Sequence, residues 1–266
     1  MSLLYCFLMS VIYEARDAVA VVRLNRPEKM NALSREMLEE LRGVFERVAL
    51  DGGDVRAVIL TGTGTRAFSA GTDIGELQAL DTEGARQASV RGQSVCAAIE
   101  DCPVPVIAAV NGVAAGGGCE LALSCHIRLA SSAAQFSLPE IKLGMIPAYG
   151  GTQRAPRDVG TSRALELMLT GQTLSTSDAL RYGLINRFVE PSQLLTEAEA
   201  LARSIAELAP LAVRACLKAV RSGIELPLEE GLRLEAELFS SLFDTEDVRE
   251  GTRAFLEKRP PLFKGR

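Results

Sequence analysis

The sequence predicts an α/β core followed by a mainly helical C-terminal region. Two β-branched runs, residues 18–24 and 55–61, flank a segment, residues 34–50, whose apolar side chains recur at helical spacing. A third apolar run, residues 104–110, repeats the pattern of a buried strand. Strands that alternate with helices are typical of α/β proteins, in which a helix connects parallel strands.

Helical periodicity dominates the chain after Arg154. Ser175 is expected to cap a helix, with Asp178 three residues later, and Gly183 and Pro227 break the pattern between helices. Residues 184–189 are the one run in this region that is typical of a strand. The predicted helices cover residues 160–170, 176–182, 192–208, 210–222 and 228–243, and a final helix begins at Asp244 and ends at Lys258 and Arg259.

The composition narrows the classes of function. The chain has 266 residues and a net charge of -5, so no nucleic-acid partner is expected. The six cysteines lack the paired spacing of a zinc site and there is one histidine, so no metal site is predicted. We expect reduced thiols in a cytoplasmic protein. Residues 1–8 are interpreted as a non-native or disordered extension rather than a signal peptide or membrane anchor.

The most informative stretch follows the third apolar run. Three consecutive glycines, residues 116–118, precede a short predicted helix that opens with Glu120. Glycines let a ligand approach the backbone closely, and the first N–H groups of a helix have no partner within it. The Gly117 N–H and the Glu120 carboxylate would then share one small volume. An acid at a helix N-terminus also complements the helix dipole, so Glu120 alone does not indicate catalysis.

A second carboxylate favours the functional interpretation. Glu140 follows Pro139 in a segment with few charges, and residues 141–147 after it are predicted to be largely buried. Two carboxylates in apolar surroundings, beside a loop that can hold an oxyanion, suit proton transfer next to a carbonyl group.

A glycine-rich loop after the second strand offers a different interpretation. Gly62, Gly64 and Ala67 match the spacing of a dinucleotide-binding fingerprint. That fingerprint requires a helix to open immediately, whereas residues 68–73 are predicted to continue as a loop. An NAD-dependent dehydrogenase is therefore the less favoured alternative, and it predicts that NAD raises the melting temperature.

Five motifs occur in the order found in the crotonase family, the enoyl-CoA hydratase/isomerase superfamily, which the chain resembles from about Met9 to Arg266. Together they are highly specific, although no single motif would suffice. The motifs are residues 24–33 (LNRPEKMNAL), 67–74 (AFSAGTDI), 110–120 (VNGVAAGGGCE), 139–140 (PE) and 146–154 (IPAYGGTQR).

The resemblance implies a crotonase-like (ClpP/crotonase) spiral of ββα units with a C-terminal helical extension. It implies an α/β core over residues 9–200 and a helical trimerisation region over residues 201–266. The assembly implied is a homotrimer or a dimer of trimers. The N–H groups of Ala70 and Gly117 are implied as the two donors of an oxyanion hole.

The substrate implied by the resemblance is an acyl-CoA thioester, with no separate cofactor because coenzyme A is part of the substrate. Glu120 and Glu140 are implied as the catalytic residues. In the family, residues 82–99 cover the acyl pocket, and Phe255 and Lys258 reach a neighbouring subunit's ligand. The residues expected to contact the substrate are Arg26, Ala67, Gly71, Thr72, Asp73, Ile74, Gly116, Pro139, Gly144, Tyr149, Phe255 and Lys258.

Three residues depart from the family pattern. His126 stands where the family usually has an acid, and a lone histidine after an apolar helix is usually structural. Ala148 replaces a glycine that commonly lies close to the catalytic water, and Tyr149 is larger than the usual small residue. The last two changes bear on the substrate.

We therefore expect an enoyl-CoA hydratase, a hydro-lyase that adds water across the 2,3 double bond of a trans-2-enoyl-CoA to give a 3-hydroxyacyl-CoA. Glu120 would activate the water that attacks C3, and Glu140 would deliver the proton to C2. The alternatives within the family are a Δ3,Δ2-enoyl-CoA isomerase, which needs one acid and no activated water, and a specialised acyl-CoA hydratase. An alternative of another class is an acyl-CoA- or RNA-binding relative with weak activity.

Overall fold

A computed structural model describes residues 9–51 and 54–266. Ten strands occur within these residues, and they form two sheets. In chain order the strands are β1 (Val11–Arg16), β2 (Val19–Leu24), β3 (Ala57–Gly62), β4 (Ala67–Ser69), β5 (Val106–Val110), β6 (Val113–Ala115), β7 (Ile127–Ser131), β8 (Gln135–Ser137), β9 (Thr173–Ser175) and β10 (Arg187–Val189).

Eleven α-helices occur in the same residues, together with short 3₁₀ turns at Pro27–Lys29, Glu140–Leu143 and Pro191–Gln193. The helices are α1 (Arg35–Leu50), α2 (Ile74–Leu77), α3 (Thr82–Glu100), α4 (Gly117–Ser124), α5 (Gly151–Val159), α6 (Thr161–Thr170), α7 (Thr176–Tyr182), α8 (Leu194–Ala206), α9 (Pro210–Gly223), α10 (Leu228–Leu242) and α11 (Glu246–Glu257).

The larger sheet has six strands in the order β1-β2-β3-β5-β7-β10. β1 is antiparallel to β2, and every other neighbouring pair is parallel. Alternate side chains of β3 point to opposite faces: Val58 and Leu60 enter the main core, whereas Ala57 and Ile59 pack with α8 in a second apolar cluster. The strands and helix predicted from residues 18–61 and 104–110 are therefore confirmed.

The smaller sheet, β4-β6-β8-β9, brings together the segments on which the site is built. β4, β6 and β8 are parallel to one another, so their carboxyl ends meet at one edge of the sheet. β4 leads into residues 70–73, β6 into Gly116 and Gly117, and β8 into Pro139 and Glu140. These three-residue strands are too short for the sequence to reveal them.

Two predicted boundaries differ from the structure. The predicted boundary between the α/β core and the C-terminal helical region, at residues 200 and 201, falls inside α8. The apolar side chains of this helix, including Leu194, Ala198 and Ala202, are buried against the larger sheet, so the α/β core extends through Ala206. The last helix is capped by Thr245 rather than begun at Asp244, since the Thr245 side chain accepts a hydrogen bond from the Val248 N–H at 3.3 Å. The N-cap predicted at Ser175 is confirmed by a bond from the Asp178 N–H.

The interpretation of residues 1–8 as an extension lies outside the described residues. In the described ranges, no helix combines the length and the apolar character needed to cross a membrane.

The helices α9 and α10 pack against each other and leave much apolar surface exposed. No residue of either helix is buried. The large apolar side chains exposed on these helices and on the segment between them are Val220, Ile224, Leu226, Leu228, Leu232 and Phe239.

Candidate active site

The segment that connects β3 to β4 is held by a buried asparagine that was not among the residues expected in the site. Asn31 is fully buried and adopts a left-handed conformation, φ 55°. Its Nδ2 donates to the carbonyls of Thr63 and Ala67 at 3.0 and 2.9 Å, and its Oδ1 accepts from the Arg26 N–H at 3.0 Å. Asparagine tolerates a positive φ better than most residues do, and this preference is the only indication in the sequence of a tight turn at residue 31. β3 is followed by a turn and then by β4, so the helix that the dinucleotide fingerprint requires does not open here. Residues 70–73 form the predicted loop, whereas residues 68 and 69 were wrongly included in it, because they pair with β6 as part of β4.

The Ala70 N–H is not free to serve as an oxyanion donor. It donates to the Met30 carbonyl at 3.0 Å, across the loop that carries Asn31. The assignment of this donor to Ala70 is therefore wrong, because the chain direction at Ala70 turns its N–H toward the protein rather than toward the site.

The next outward-facing donor is at Thr72. Thr72 forms an isolated parallel bridge with Leu33. In this bridge the Leu33 N–H donates to the Gly71 carbonyl at 2.8 Å, and the Asp73 N–H donates to the Leu33 carbonyl at 2.9 Å. Since these bonds use the groups on either side of Thr72, its own N–H points away from Leu33. A Cβ placed on Gly117 would lie 3.2 Å from Thr72 Oγ1, so Thr72 and Gly117 are neighbours.

Gly117 is the first residue of α4, where an N–H group has no partner within the helix. Neither the Gly117 N–H nor the Thr72 N–H finds a hydrogen-bond acceptor within residues 9–51 and 54–266. Gly71, with φ 97°, lets the two segments approach, since a Cβ there would lie 2.7 Å from the Ala115 carbonyl. The two free N–H groups form a ready site for a developing negative charge.

Glu120 lies in the first turn of α4 and is almost completely buried. Its Oε1 accepts hydrogen bonds from the N–H groups of Tyr149 and Gly151, at 2.8 and 2.7 Å, where α5 begins. Burial raises the pKa of this carboxyl group, and the backbone N–H groups partly offset that effect by stabilising the ionised form. The carboxylate is thus oriented by backbone groups that lie about 30 residues further along the chain.

Glu140 begins the 3₁₀ turn that follows Pro139. Burial raises its pKa to about 7, and the nearby charge of Glu120 adds to the rise. Its Oε2 is buried and has no hydrogen-bond partner in the described part of the chain. Gly116 permits the approach of this side chain, because a Cβ there would lie 2.8 Å from Glu140 Oε1. Glu140 can therefore hold a proton at neutral pH with an oxygen that no other group uses.

The segment after Glu140 is more exposed than predicted. Ile141, Leu143, Met145 and Ile146 are all exposed, and only Pro147 is buried. The prediction that residues 141–147 are largely buried is wrong, because a single 3₁₀ turn that packs mainly on α6 leaves its outer side chains open.

Tyr149 binds Glu120 through its N–H and places its ring against Gly117. The residue is only 4% exposed, and its hydroxyl accepts a hydrogen bond from Thr72 Oγ1 at 2.9 Å. The carbonyl of the preceding residue, Ala148, accepts hydrogen bonds from Ser89 and Gln93 of α3, at 2.8 and 3.1 Å. Ala148 and Tyr149, two of the three departures from the family pattern, therefore lie where α3 contacts the site.

His126 lies away from the two glutamates and has a structural role. Its Nδ1 accepts from the Val106 N–H at 2.9 Å, and its Nε2 lies 3.1 Å from the Glu100 carbonyl. Burial lowers the pKa of His126, which favours the neutral ring that this pair of partners requires. The residue ties β5 to the end of α3, as expected of a structural histidine.

Arg26 and Asp73, both expected to contact the substrate, bind each other. Arg26 Nη2 donates to Asp73 Oδ2 at 2.9 Å, and Lys29 Nζ lies 3.5 Å from the same oxygen. The hydrogen bond from Arg26 lowers the pKa of Asp73, so the carboxylate stays ionised. Asp73 also caps α2 by accepting from the Gly75 N–H, and the exposed Ile74 follows it.

The remaining expected contact residues are spread more widely. Ala67 is buried, and Gly144 ends the 3₁₀ turn in a left-handed conformation with open space around its Cα. Phe255 and Lys258 lie at the end of α11 with exposed side chains. The Lys258 side chain forms no hydrogen bond or ion pair with the rest of the described chain.

The geometry combines two backbone donors with two carboxyl groups that differ in environment. Glu120 is held by N–H groups, whereas Glu140 has an unused oxygen and a pKa of about 7. Pairs of carboxyl groups with unlike environments can divide the tasks of acid and base.

Known proteins of one family are similar to this chain in sequence and in fold. A family model described as enoyl-CoA hydratase/isomerase matches residues 14–266. The chain is 44% identical to a short-chain-enoyl-CoA hydratase of Clostridium acetobutylicum, over 95% of this chain and 96% of the relative. It is 42% identical to a crotonyl-CoA hydratase of Syntrophomonas wolfei, over 96% and 97% of the two chains.

A solved structure of an enoyl-CoA hydratase from Bacillus anthracis superposes with a TM-score of 0.94, at 39% identity, over 97% of this chain and all of the other. Its fold confirms the crotonase-like architecture expected from the sequence. The matched length, the identity and the shared fold together show that this chain belongs to the enoyl-CoA hydratase/isomerase family.

Proposed function

We propose that the chain is an enoyl-CoA hydratase that adds water to the 2,3 double bond of a trans-2-enoyl-CoA and forms a 3-hydroxyacyl-CoA. The observation that carries this proposal is a pair of carboxyl groups beside free backbone donors: Glu120 is buried, and Glu140 is half-buried with a buried Oε2. The names of the two relatives, a short-chain-enoyl-CoA hydratase and a crotonyl-CoA hydratase, support the same reaction.

The thioester carbonyl would bind between the N–H groups of Thr72 and Gly117. Both groups lack an acceptor in the described chain, and their residues are neighbours. Two such donors stabilise the enolate oxygen that forms when water adds at C3, and one donor contributes about 3 to 4 kcal/mol in comparable sites. This assignment takes Thr72 in place of Ala70 and keeps Gly117.

The two glutamates would act in sequence on one substrate. Glu120 orients the water and takes its proton as the oxygen bonds to C3, while the π electrons of the double bond move to the thioester oxygen. Glu140 then gives its proton to C2, and the carbonyl forms again. The pair holds one proton before and after the reaction, so no metal and no separate cofactor is required.

The isomerase alternative uses the same donors but needs only one carboxyl group. Retention of a second carboxylate, Glu120, whose Oε1 accepts two N–H bonds, favours activation of water. The test is to mix the protein with crotonyl-CoA and, separately, with a 3-enoyl-CoA, and to follow the enoyl-thioester absorbance. We expect fast hydration and slow isomerisation. Isomerisation without hydration, or CoA binding with neither reaction, would contradict the proposal.

The rate should fall as the pH rises through about 7. Glu140 must be protonated to deliver a proton to C2, and burial has raised its pKa to about 7. Above that value kcat/KM should fall about tenfold per pH unit, because the pair loses its single proton. Hydration and dehydration should show the same profile, since the net reaction neither takes up nor releases a proton. A profile that stays flat from about pH 6 to about pH 9 would contradict the role of Glu140.

We further propose that the substrate's CoA part lies along residues 70–74, near Arg26 and Lys29, and that the protein acts as a trimer or hexamer. The exposed apolar residues of α9 and α10, and those of residues 141–146, support contact with other subunits. Phe255 and Lys258 would then reach a neighbour's ligand.

The buried free thiols Cys96, Cys102, Cys119 and Cys125 support a reducing, cytoplasmic location.

A further inference from the structure

The ring of Tyr149 fills the space between α3 and the start of α4. A Cβ on Gly92, in the middle of α3, would overlap the Tyr149 ring, and a Cβ on Gly117 would lie 2.9 Å from its Cε2. Glycine inside a helix weakens it relative to alanine, so Gly92 is best explained by the space that the ring requires. Gly92 and Gly117 thus form the two sides of a slot for Tyr149.

Three hydrogen bonds hold Tyr149 in this slot. Its N–H donates to Glu120 Oε1 at 2.8 Å, its carbonyl accepts from Arg154 Nη1 at 3.0 Å, and its hydroxyl accepts from Thr72 Oγ1 at 2.9 Å. Arg154 is itself paired with Glu100. Moving the ring out of the slot would therefore break the contact with Thr72 or displace the backbone that orients Glu120.

The position of the ring relative to the substrate rests on the proposed function. In that arrangement the thioester carbonyl lies between the Thr72 and Gly117 N–H groups, and C3 lies beside Glu120. The Tyr149 ring contacts Gly117, its hydroxyl contacts Thr72, and its own N–H holds Glu120. An acyl chain that passes Glu120 therefore meets the ring within a few carbon atoms of C3.

We propose that Tyr149 closes the acyl pocket and restricts the enzyme to short, unbranched 2-enoyl-CoA thioesters. The ring is a specificity-determining group whose bulk excludes longer chains. Its hydroxyl, bound to Thr72, keeps the ring in place. Misfit of even one methylene group in a closed apolar pocket changes kcat/KM by about 10- to 200-fold.

The test compares kcat/KM for crotonyl-CoA, trans-2-hexenoyl-CoA and trans-2-octenoyl-CoA in the wild type, Tyr149→Ala and Tyr149→Phe. The wild type should prefer crotonyl-CoA over octenoyl-CoA by about 100-fold or more, and Tyr149→Ala should reduce that ratio at least about tenfold. Tyr149→Phe keeps the ring and should keep most of the ratio, whatever its absolute rate. A wild type that hydrates octenoyl-CoA as well as crotonyl-CoA, or a Tyr149→Ala variant with the wild-type ratio, would overturn the proposal.

A second variant, Gly92→Ala, tests the same proposal if the Tyr149→Ala protein fails to fold. Gly92→Ala adds a Cβ that overlaps the ring and should push it toward the acyl pocket, so kcat/KM for crotonyl-CoA should fall about tenfold or more. In the Tyr149→Leu background the same substitution should cost much less, because no ring fills the slot. An equal loss of kcat/KM in both backgrounds would contradict the claim that Gly92 makes room for the Tyr149 ring. Failure of the wild type to hydrate crotonyl-CoA would instead overturn the proposed function, so the two failures are distinguishable.

Discussion

Replacing Glu140 with glutamine is expected to lower kcat for crotonyl-CoA hydration by about 10²- to 10⁴-fold. The amide has the size of the acid but cannot release a proton to C2. Because Glu140 Oε2 has no partner in the described chain, the substitution breaks no hydrogen bond there and should leave the fold intact. The measurement is the loss of enoyl-thioester absorbance at saturating substrate.

Glu166→Gln provides the matched control for Glu140→Gln. Glu166 is exposed on α6, and its side chain forms no ion pair with the described residues, so its amide variant should hydrate crotonyl-CoA at the wild-type rate. A Glu140→Gln protein within about threefold of wild type would show that another group protonates C2.

Replacing Glu120 with glutamine should cause a loss of the same order, about 10²- to 10⁴-fold in kcat for hydration. The amide oxygen can still accept the N–H bonds from Tyr149 and Gly151, so the start of α5 should keep its geometry. What is lost is the ability to take a proton from water. An unchanged melting temperature together with the lost rate would support this role.

The outcome that would contradict this second prediction is hydration by Glu120→Gln at close to the wild-type rate. Water would then be activated elsewhere, and the departures at Ala148 and Tyr149 would be the first positions to study. A large fall in the melting temperature of Glu120→Gln would instead show that the hydrogen bonds from Tyr149 and Gly151 to Glu120 stabilise the fold.

Much of the fold could be predicted because long apolar patterns determine it. The runs at residues 18–24, 55–61 and 104–110 are β2, β3 and β5, and the helical periodicity of residues 34–50 is α1. The three-residue strands β4, β6 and β8 carry too little pattern to be seen, yet they bring the site segments to one edge. The boundary at residue 200 failed because α8 is amphipathic like the helices after it, while its apolar face packs on the sheet.

The site was predictable in residue type but not in backbone direction. The motifs identified Glu120, Glu140 and Gly117, whose places follow from the ends of β6 and β8. The direction of each N–H in residues 70–73 depends on the bridge between Thr72 and Leu33, a contact between residues far apart in the chain. The bonds from Tyr149 and Gly151 to Glu120 are likewise long-range, so no local pattern could reveal them.

The division of labour between the two glutamates can be measured directly with butyryl-CoA, a saturated thioester that cannot be hydrated. In D₂O, ionised Glu140 should remove a proton from C2 of the bound thioester and return a deuteron, with the Thr72 and Gly117 N–H groups stabilising the enolate. Mass spectrometry would follow the exchange. We predict exchange by the wild type and by Glu120→Gln, and none by Glu140→Gln. Exchange by Glu140→Gln at the wild-type rate would contradict the central claim that Glu140 transfers the C2 proton.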